Sequence, residues 1–560
     1  MKNVIRFCLF FSIFLSYTET IPQILSWVSG AYRAAYNSSG TDLAGNIYVA
    51  GSFYGTAEFP TGNITSTGGT SDIFIVKYTP AGTISWIKTA TGSYNGFGRA
   101  IAVYPNGKFV IAGVINGTFT FGTHVAQIPG STPKMYVAMY DSSGNCEWLK
   151  YFGQSYYDNI VAVAFDNSGD VLVHGSFGGG FSADSISTGG FGNQDVFVAK
   201  FHRNGYALWA KGMGGPQEDL PGDIFVDRTG DVYVTGSFEQ TGYFFWGDTV
   251  AVLGSRGLRD MFVAKISRNG ASVWAKRGGA NGYDQGRGVA VDNQFNCYVI
   301  GSYSNAAIFE NDTLDVFGWE DIFLAKYNQS GNLVWVKGAG GIEADAGLCL
   351  SIDTSSSKAF SGVYLYGNYQ GNIQFFNTTL AALGANNHDI FIAKVDADGN
   401  TVWARGIGSV ASDNAHSMVP YATNHLVFTG LHSHNANFLG TIFPATVNLA
   451  RNFICKVGTP LSDAEEKEEV PSEFSLGQNY PNPFNPGTLI SYQLPVNSLV
   501  RLELFSITGE KVATLVNEEL ESGYHNYNLS ASALGLSSGV YFYRMIAGEF
   551  VSTKKLMLIK

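Results

Sequence analysis

The chain has 560 residues, of which 45% are hydrophobic and only 14% charged, and it carries 68 glycines and 40 phenylalanines. This composition fits an all-β protein with many turns, and length alone would suggest roughly four domains. The net charge of −11 argues against nucleic acid or an anionic membrane as partner, because both are bound by basic patches.

The N-terminus opens with Lys2 and Arg6 and continues as the apolar run Phe7–Leu15. A basic start before a short apolar stretch describes a secretory signal peptide over residues 1–20, with cleavage points at Thr18 or Thr20. The run is too short for a membrane span, and no other stretch is expected to cross a bilayer.

Tryptophan then recurs at Trp27, Trp86, Trp148, Trp209, Trp274, Trp335 and Trp403, at intervals of 59 to 68 residues. Self-similarity at such a period marks a repeat architecture and overrules the estimate from length. A second motif ends nine residues before six of the tryptophans. It reads Asp-x-Phe-x-x-Lys at Asp72–Lys77, Asp195–Lys200, Asp260–Lys265, Asp321–Lys326 and Asp389–Lys394, with Lys134–Met139 a degraded copy. Between motif and tryptophan a glycine holds a fixed place (Gly82, Gly144, Gly205, Gly270, Gly331 and Gly399), where a hairpin turn needs positive φ. Upstream lies another hairpin, as in Gly288–Asp292 followed by Cys297–Ser302. Each repeat therefore holds four strands, with tight first–second and third–fourth turns and longer, variable connections elsewhere. Four-stranded units of this length are propeller blades.

Six such units run from about Asp42 to Arg405. Beyond them the chain offers only three strand-like segments, Met418–Tyr421, His425–Gly430 and Asn452–Lys456, and the missing fourth is Ile24–Trp27 at the other end. Closure removes exposed sheet edges. The expectation is an all-β, seven-bladed β-propeller over residues 21–458, closed by the N-terminal strand. On the Asp-x-Phe-x-Ala-Lys strand, the Gly-x-x-x-Trp turn and the glycine-rich hairpins, the repeats resemble a seven-bladed β-propeller repeat family of secreted bacterial proteins. That resemblance implies architecture and no particular activity. Cys8 leaves with the signal peptide, while Cys146, Cys297, Cys349 and Cys455 fall in four different blades and are expected as buried free thiols.

Strands that alternate in direction place the long connections on one face, where function on a rigid scaffold concentrates. Ten residues after five of the tryptophans stand Asp158, Asp219, Asp284, Asp345 and Asp413. Two readings are open. As a ring at the channel mouth they would bind a cation such as Ca2+, or a polycationic or hydroxyl-rich ligand. As scaffold, each would accept backbone N–H bonds and fix the crossing between blades, and their repetition favours this reading. Asp72, Asp195, Asp260, Asp321 and Asp389 read the same way, with Lys88, Lys150, Lys211, Lys276 and Lys337 expected in cross-strand pairs. Turns such as Asp166–Asp170, Asp227–Asp231 and Asp396–Asn400 lack the distal glutamate of a calcium loop and read as Asx turns. No cofactor is predicted.

Residues that break the repeat are the better functional candidates. Trp246, within Tyr243–Trp246, and Trp319 either stack on sugars or fill the core between second and third strands. His432 and His434 put two imidazoles on one face of a strand, short of the third ligand that a metal needs. No Gly-x-Ser-x-Gly elbow or phosphate loop is present.

Residues 459–473 change to a charged, proline-containing linker. Strands resume at Thr488–Leu494, Val500–Phe505, Lys511–Leu515 and Val540–Arg544, which suggests a small immunoglobulin-like β-sandwich over 474–560. It opens with Gln478–Pro486, which contains Asn479, Tyr480, Pro481, Asn482, Pro483, Phe484 and Pro486. Gly509 sits in a hairpin, Gly539 and Tyr541 begin a strand, and Lys554 and Lys555 stand near the end. On these residues the segment resembles the type A C-terminal sorting domain of the type IX secretion system. The resemblance implies the type IX machinery as partner and a secreted or outer-membrane surface-attached product. The prolines are expected to hold an extended, exposed segment ahead of the first strand. The expected role is non-catalytic binding or adhesion by a monomer, to a glycan or a surface protein. An extracellular carbohydrate-active enzyme with its site at the channel mouth, and a structural envelope component, are the alternatives.

Overall fold

The computed structural model describes residues 24–559 apart from 68–69, 131, 246–250, 354–361, 385–386, 422–424, 434, 440, 444–450, 459–472, 480–481, 521–522, 532–533 and 549. The regular elements among these residues are all β-strands. The chain divides into two compact units, one over Leu25–Thr459 and one holding the residues from Pro460 onward.

The first unit is built from antiparallel groups of four. Gly96–Val103, Phe109–Ile115, Lys134–Tyr140 and Cys146–Phe152 lie side by side in that order, and the pattern restarts at Asn159–Phe165, Leu220–Val226, Gln285–Val291 and Ala346–Ile352. Second and third strands such as Val171–Phe177 and Asp195–Phe201 are buried at every position, because neighbouring groups cover both faces. Unbroken runs of β-branched and aromatic residues suit that environment.

The repeated tryptophan fastens one group to the next. A Cβ added to Gly82, Gly144, Gly205, Gly270, Gly331 or Gly399 would fall 2.4 to 3.1 Å from the indole of the preceding group's Trp27, Trp86, Trp148, Trp209, Trp274 or Trp335. Glycine therefore serves twice there, supplying positive φ and making room for the ring. The indole N–H of Trp148 donates to Arg203 O at 2.8 Å, and that of Trp27 to Pro80 O at 3.2 Å.

The connection between second and third strands is itself a short hairpin in each group. Thr241–Phe244 with Ala251–Gly254, for example, pairs onto the fourth strand of the preceding group through Met213 and Gly214. Its inward phenylalanine recurs as Phe59, Phe121, Phe244, Phe309, Phe375 and Phe438, all buried.

The long strand Ile24–Thr41 joins the two ends of the unit. It neighbours Arg451–Gly458 on one side and pairs with Ile47–Phe59 on the other, from Ala34 opposite Phe53 to Thr41 opposite Ile47. Ser39 and Ser417 share a hydroxyl hydrogen bond of 3.1 Å, and His416 Nδ1 lies 2.8 Å from Tyr36 O.

Each first strand is irregular at one place. Register shifts bypass Asn37, Arg99, Val161, Arg287, Leu348 and His416 singly, and Gly222–Asp223 as a pair. Such bulges bend a strand and re-aim one side chain.

The C-terminal unit has a three-stranded sheet (Ser475–Leu476, Gly487–Leu494, Gly523–Ser530) and a four-stranded one built on Ser498–Ser506 and Gly539–Ala547. Ile490 and Tyr492 from the first and Val500, Leu502, Tyr543 and Met545 from the second share one core.

Candidate functional site

The loop aspartates expected at a channel mouth are buried: Asp219, Asp284, Asp345 and Asp413 at 0–1% exposure and Asp158 at 4%. In each, one oxygen accepts the N–H four residues earlier. The other accepts an N–H from the end of the second strand. For Asp345 these are Gly341 N and Gln370 N, both at 2.8 Å; for Asp284 they are Ala280 N at 2.9 Å and Ser304 N at 3.1 Å. Asp158 binds Gln154 N, Ser155 N at 2.9 Å and Gly178 N at 3.0 Å. The carboxylates fix the loops, as the scaffold reading holds, and the surrounding N–H donors complement negative charge rather than a cation.

The motif aspartates stand beside them. A Cβ on Gly214 would lie 2.2 Å from Asp195 Oδ1 and 2.5 Å from Asp219 Oδ2, so two carboxylates face one another there. Gly279, between Asp260 and Asp284, and Gly408, between Asp389 and Asp413, repeat the arrangement. Desolvation by burial pushes Asp219, Asp284 and Asp345 up to about 7, and the neighbouring aspartate adds to it. Asp195, Asp260, Asp321 and Asp389 rise to about 6, also chiefly through burial.

Two of the lysines expected in cross-strand pairs find acids elsewhere. Lys150 reaches Asp184 at 2.7 Å and Lys276 reaches Glu310 at 3.1 Å, both acids on the short hairpins that cover the fourth strand. The turns at Asp166, Asp227 and Asp396 are Asx turns, each aspartate accepting the N–H two and four residues on.

Between these clamps one face carries exposed apolar side chains. Each fourth-to-first loop lies against the residues leading into the third strand: Asp284 N donates to Arg259 O at 2.9 Å and Asp345 N to Glu320 O at 2.7 Å. Gly318 packs against the backbone of Gly341 and Ile342. Phe317, Trp319 and Ile342 are exposed there, Trp319 at 80%. One group earlier Leu258 holds the place of Trp319 and Tyr283 is exposed on the facing loop, and one group later Leu383 and Val410 hold the places of Phe317 and Ile342. Tyr156 and Tyr157 are exposed on another such loop. Trp319, singled out from sequence, is thus one of several exposed apolar residues at corresponding loop places. The adjacent Glu320 pairs with Arg287 at 3.5 Å, and one group earlier Arg259, beside Leu258, pairs with Glu218 and Glu239 at 3.0 and 2.6 Å.

Trp246 and His434 lie outside the described residues. Phe244, from the same aromatic run as Trp246, is the repeated hairpin phenylalanine and so part of the scaffold. His432 is fully buried, with its ring about 6 Å from those of Phe438 and Phe453. No group of three His, Cys, Asp or Glu able to hold a metal occurs among the described residues. Cys297 and Cys455 are buried free thiols, while Cys146 and Cys349 are free and partly exposed, short of the burial expected for them.

In the C-terminal unit the proline-rich segment is not a free-standing extension. Asn479 is buried: its N–H donates to Tyr543 Oη at 2.7 Å, its Nδ2 donates to Thr488 Oγ1 at 2.9 Å, and the tyrosine hydroxyl donates on to Gly477 O at 2.7 Å. Phe484 plugs the core and its backbone bridges to the last strand through Met557 O and Ile559 N. Asn482 donates to Lys555 O at 3.1 Å and accepts from Met557 N at 2.8 Å. Pro483 and Pro486 remain exposed, each following a cis peptide bond. Gly509 takes φ +83° in the Ser506–Glu510 turn, Tyr541 donates to Ser537 O at 2.9 Å, and Lys554 lies opposite Tyr543. Tyr480 and Pro481 are outside the described residues. Side chains anchored by a buried asparagine and phenylalanine explain why the segment needs those residue types as well as prolines.

A family model described as the secretion system C-terminal sorting domain matches residues 478–560. The C-terminal unit is a type IX sorting domain. The protein is accordingly secreted or attached to the cell surface, and the sorting domain is its point of interaction with the type IX machinery. No helix among the described residues is long and apolar enough to cross a membrane.

The remainder has distant relatives. An uncharacterised WD repeat-containing protein of Acanthamoeba polyphaga mimivirus is 22% identical over 448 residues, covering 64% of this chain and 32% of its own length. The regulatory protein FlaEY of Caulobacter vibrioides is 26% identical over 182 residues, covering 31% of this chain and 18% of its own length. The chain thus spans about a third or less of these relatives. Among solved structures, a putative gluconolactonase aligns over 59% of this chain and 87% of its own at 12% identity and a TM-score of 0.27. A glycoside hydrolase family 43 arabinoxylan arabinofuranohydrolase from Bacillus subtilis aligns over 94% of both chains at 11% identity and a TM-score of 0.26. Likenesses this distant carry no inference about fold or activity.

Proposed function

We propose that the chain is a non-catalytic binding protein of the cell exterior: a seven-bladed β-propeller, closed by its N-terminal strand, carried outward by an immunoglobulin-like type IX sorting domain after removal of an N-terminal signal peptide. The closure reading is supported by the strand Ile24–Thr41, which neighbours both the last and the first four-strand group. The binding reading rests on one observation. Trp319 exposes 80% of its surface on the loop face, near Phe317 and the Gly318–Ile342 contact and next to the Glu320–Arg287 pair. An indole left in water beside a charged pair suits the apolar face of a pyranose ring, with the polar groups taking its hydroxyls. We therefore place a glycan on this face. Probing immobilised glycans with the full chain, together with analysis for released product, tests the proposal. Retention without product supports it. Release of product, or retention of none, overturns it.

A further inference from the structure

The bulges of the first strands carry a second site. The scaffold repeats at these positions in backbone but not in residue type. Five of the bulge side chains are polar and no two neighbours are alike: Asn37, Arg99, Asp223, Arg287 and His416. Arg99, Arg287 and His416 are each accessible to water between two buried neighbours. They lie three residues beyond the loop aspartates or at the matching point of the first and second groups, so they share the loop-side end of the inner strands. They are also linked from group to group. His416 Nδ1 meets Tyr36 O at 2.8 Å, Asn37 Nδ2 donates to Gly98 O at 2.7 Å, and Val289 N donates to Asp223 Oδ2 at 3.2 Å.

Arg99 stands apart within this set. Arg287 has Glu320 at 3.5 Å, but Arg99 forms no ion pair among the described residues, and its guanidinium lies 5.7 Å from the centre of the Phe97 ring. Surrounding protein desolvates it and lowers its pKa, although water reaches the side chain. His416 is likewise held below its ordinary value by burial, so it is neutral. A carbonyl only accepts, so Nδ1 carries the proton toward Tyr36 O and Nε2 is left as an acceptor.

We infer that the inner-strand bulges form an axial recess that binds a small ligand bearing a carboxylate, with the Arg99 guanidinium as its anchor. The planar fork of arginine matches a carboxylate through two parallel N–H···O bonds. His416 Nε2 accepts a ligand hydroxyl, and the apolar bulge residues Val161 and Leu348 border the ligand's carbon skeleton. A sugar acid meets all three requirements. The site rests on the closed arrangement proposed above, but it is separate from the Trp319 surface.

Calorimetric titration of the full chain with glucuronate, glucose and inorganic phosphate tests this inference. Glucuronate should bind, glucose should give no heat, and phosphate should bind at least about tenfold more weakly, because it can pair with the guanidinium but lacks the hydroxyls and carbon skeleton that His416, Val161 and Leu348 would meet. Arg99→Gln should weaken glucuronate by at least about tenfold, and Arg99→Lys should fall between, keeping charge but losing the fork. Both variants should melt with the parent, since the side chain is exposed. Trp319→Ala should leave glucuronate affinity unchanged, which separates this site from the glycan surface. No heat with millimolar glucuronate, equal binding of glucose or phosphate, or unchanged affinity in both Arg99 variants would overturn it.

Discussion

Gly82→Ala tests the closing contact, in which Trp27 of the N-terminal strand lies over the turn of the first group. The new Cβ would sit 2.4 Å from Trp27 Cδ2 at a residue with φ +81°. The backbone term for an L-residue there is about 1 kcal/mol. Relief of the clash moves the indole and breaks its bond to Pro80 O, which costs about 1 kcal/mol for the hydrogen bond and about 1 kcal/mol more in packing. The sum is about 3 kcal/mol. At about 2 cal/mol/K per residue, the unit spanning Leu25–Thr459 unfolds with about 0.9 kcal/mol/K, so the loss is about 3 °C in Tm. Gly130→Ala is the control: φ is +84° and nothing lies within 4 Å of its added Cβ, so only the backbone term of about 1 °C applies. In a Trp27→Ala background the clash is gone, and Gly82→Ala should cost no more than Gly130→Ala. Calorimetric melting of the four proteins gives a coupling of about 2 kcal/mol. Equal effects of Gly82→Ala with and without Trp27 would refute the contact, and with it closure by the N-terminal strand.

Further predictions concern the carboxylates and the sorting domain. Asp345→Ala leaves Gly341 N and Gln370 N without an acceptor and should cost about 2–3 kcal/mol, with faster amide exchange at those two residues; unaltered exchange would contradict the clamp. Asp219, Asp284 and Asp345, raised to about 7, keep protons when folded that the unfolded chain releases near pH 4. Their contribution to stability is therefore fully present below about pH 4 and is lost as pH rises to about 7. The lowered aspartates Asp141, Asp184 and Asp396 act below that window. The denaturation midpoint of the Leu25–Thr459 unit should fall from pH 5 to pH 8, and a rise would contradict the burial of these groups. Tyr543→Phe removes the hydroxyl between Asn479 N and Gly477 O and should destabilise the C-terminal unit by about 1–2 kcal/mol, read by thermal melting; an unchanged melt would show that hydroxyl to be dispensable.

Much of the architecture was legible because it is periodic. The Trp27 spacing pointed to the last group, and the structure sets its strand beside Arg451–Gly458. What the spacing could not show was the partner of each tryptophan, a glycine in the following group, because that contact spans some 55 residues of sequence. The candidate site was legible only in part. Counting from tryptophan led to Asp284 and Asp345, which periodicity makes conspicuous and the fold then spends on backbone N–H groups. The accessible positions lie three residues further on. There Arg99, Val161, Arg287, Leu348 and His416 each follow a tryptophan by thirteen residues, but their differing chemistry hides the register. A bulge leaves no residue signature of its own, so its side-chain direction appears only with the ladder. The pairing of Lys150 and Lys276 was missed for a related reason: the second-to-third connections are hairpins that bring Asp184 and Glu310 over the fourth strand, and a variable sequence gave no sign of them.

The claim that this protein binds glycan through the exposed apolar residues of its loop face is tested most directly by comparing retention on neutral glycans of the parent, Trp319→Ala, and Leu499→Ala, an equally simple truncation of an exposed residue in the C-terminal unit. Retention lost by at least about tenfold in Trp319→Ala and kept in Leu499→Ala is the predicted result. Equal retention by all three proteins would contradict the account.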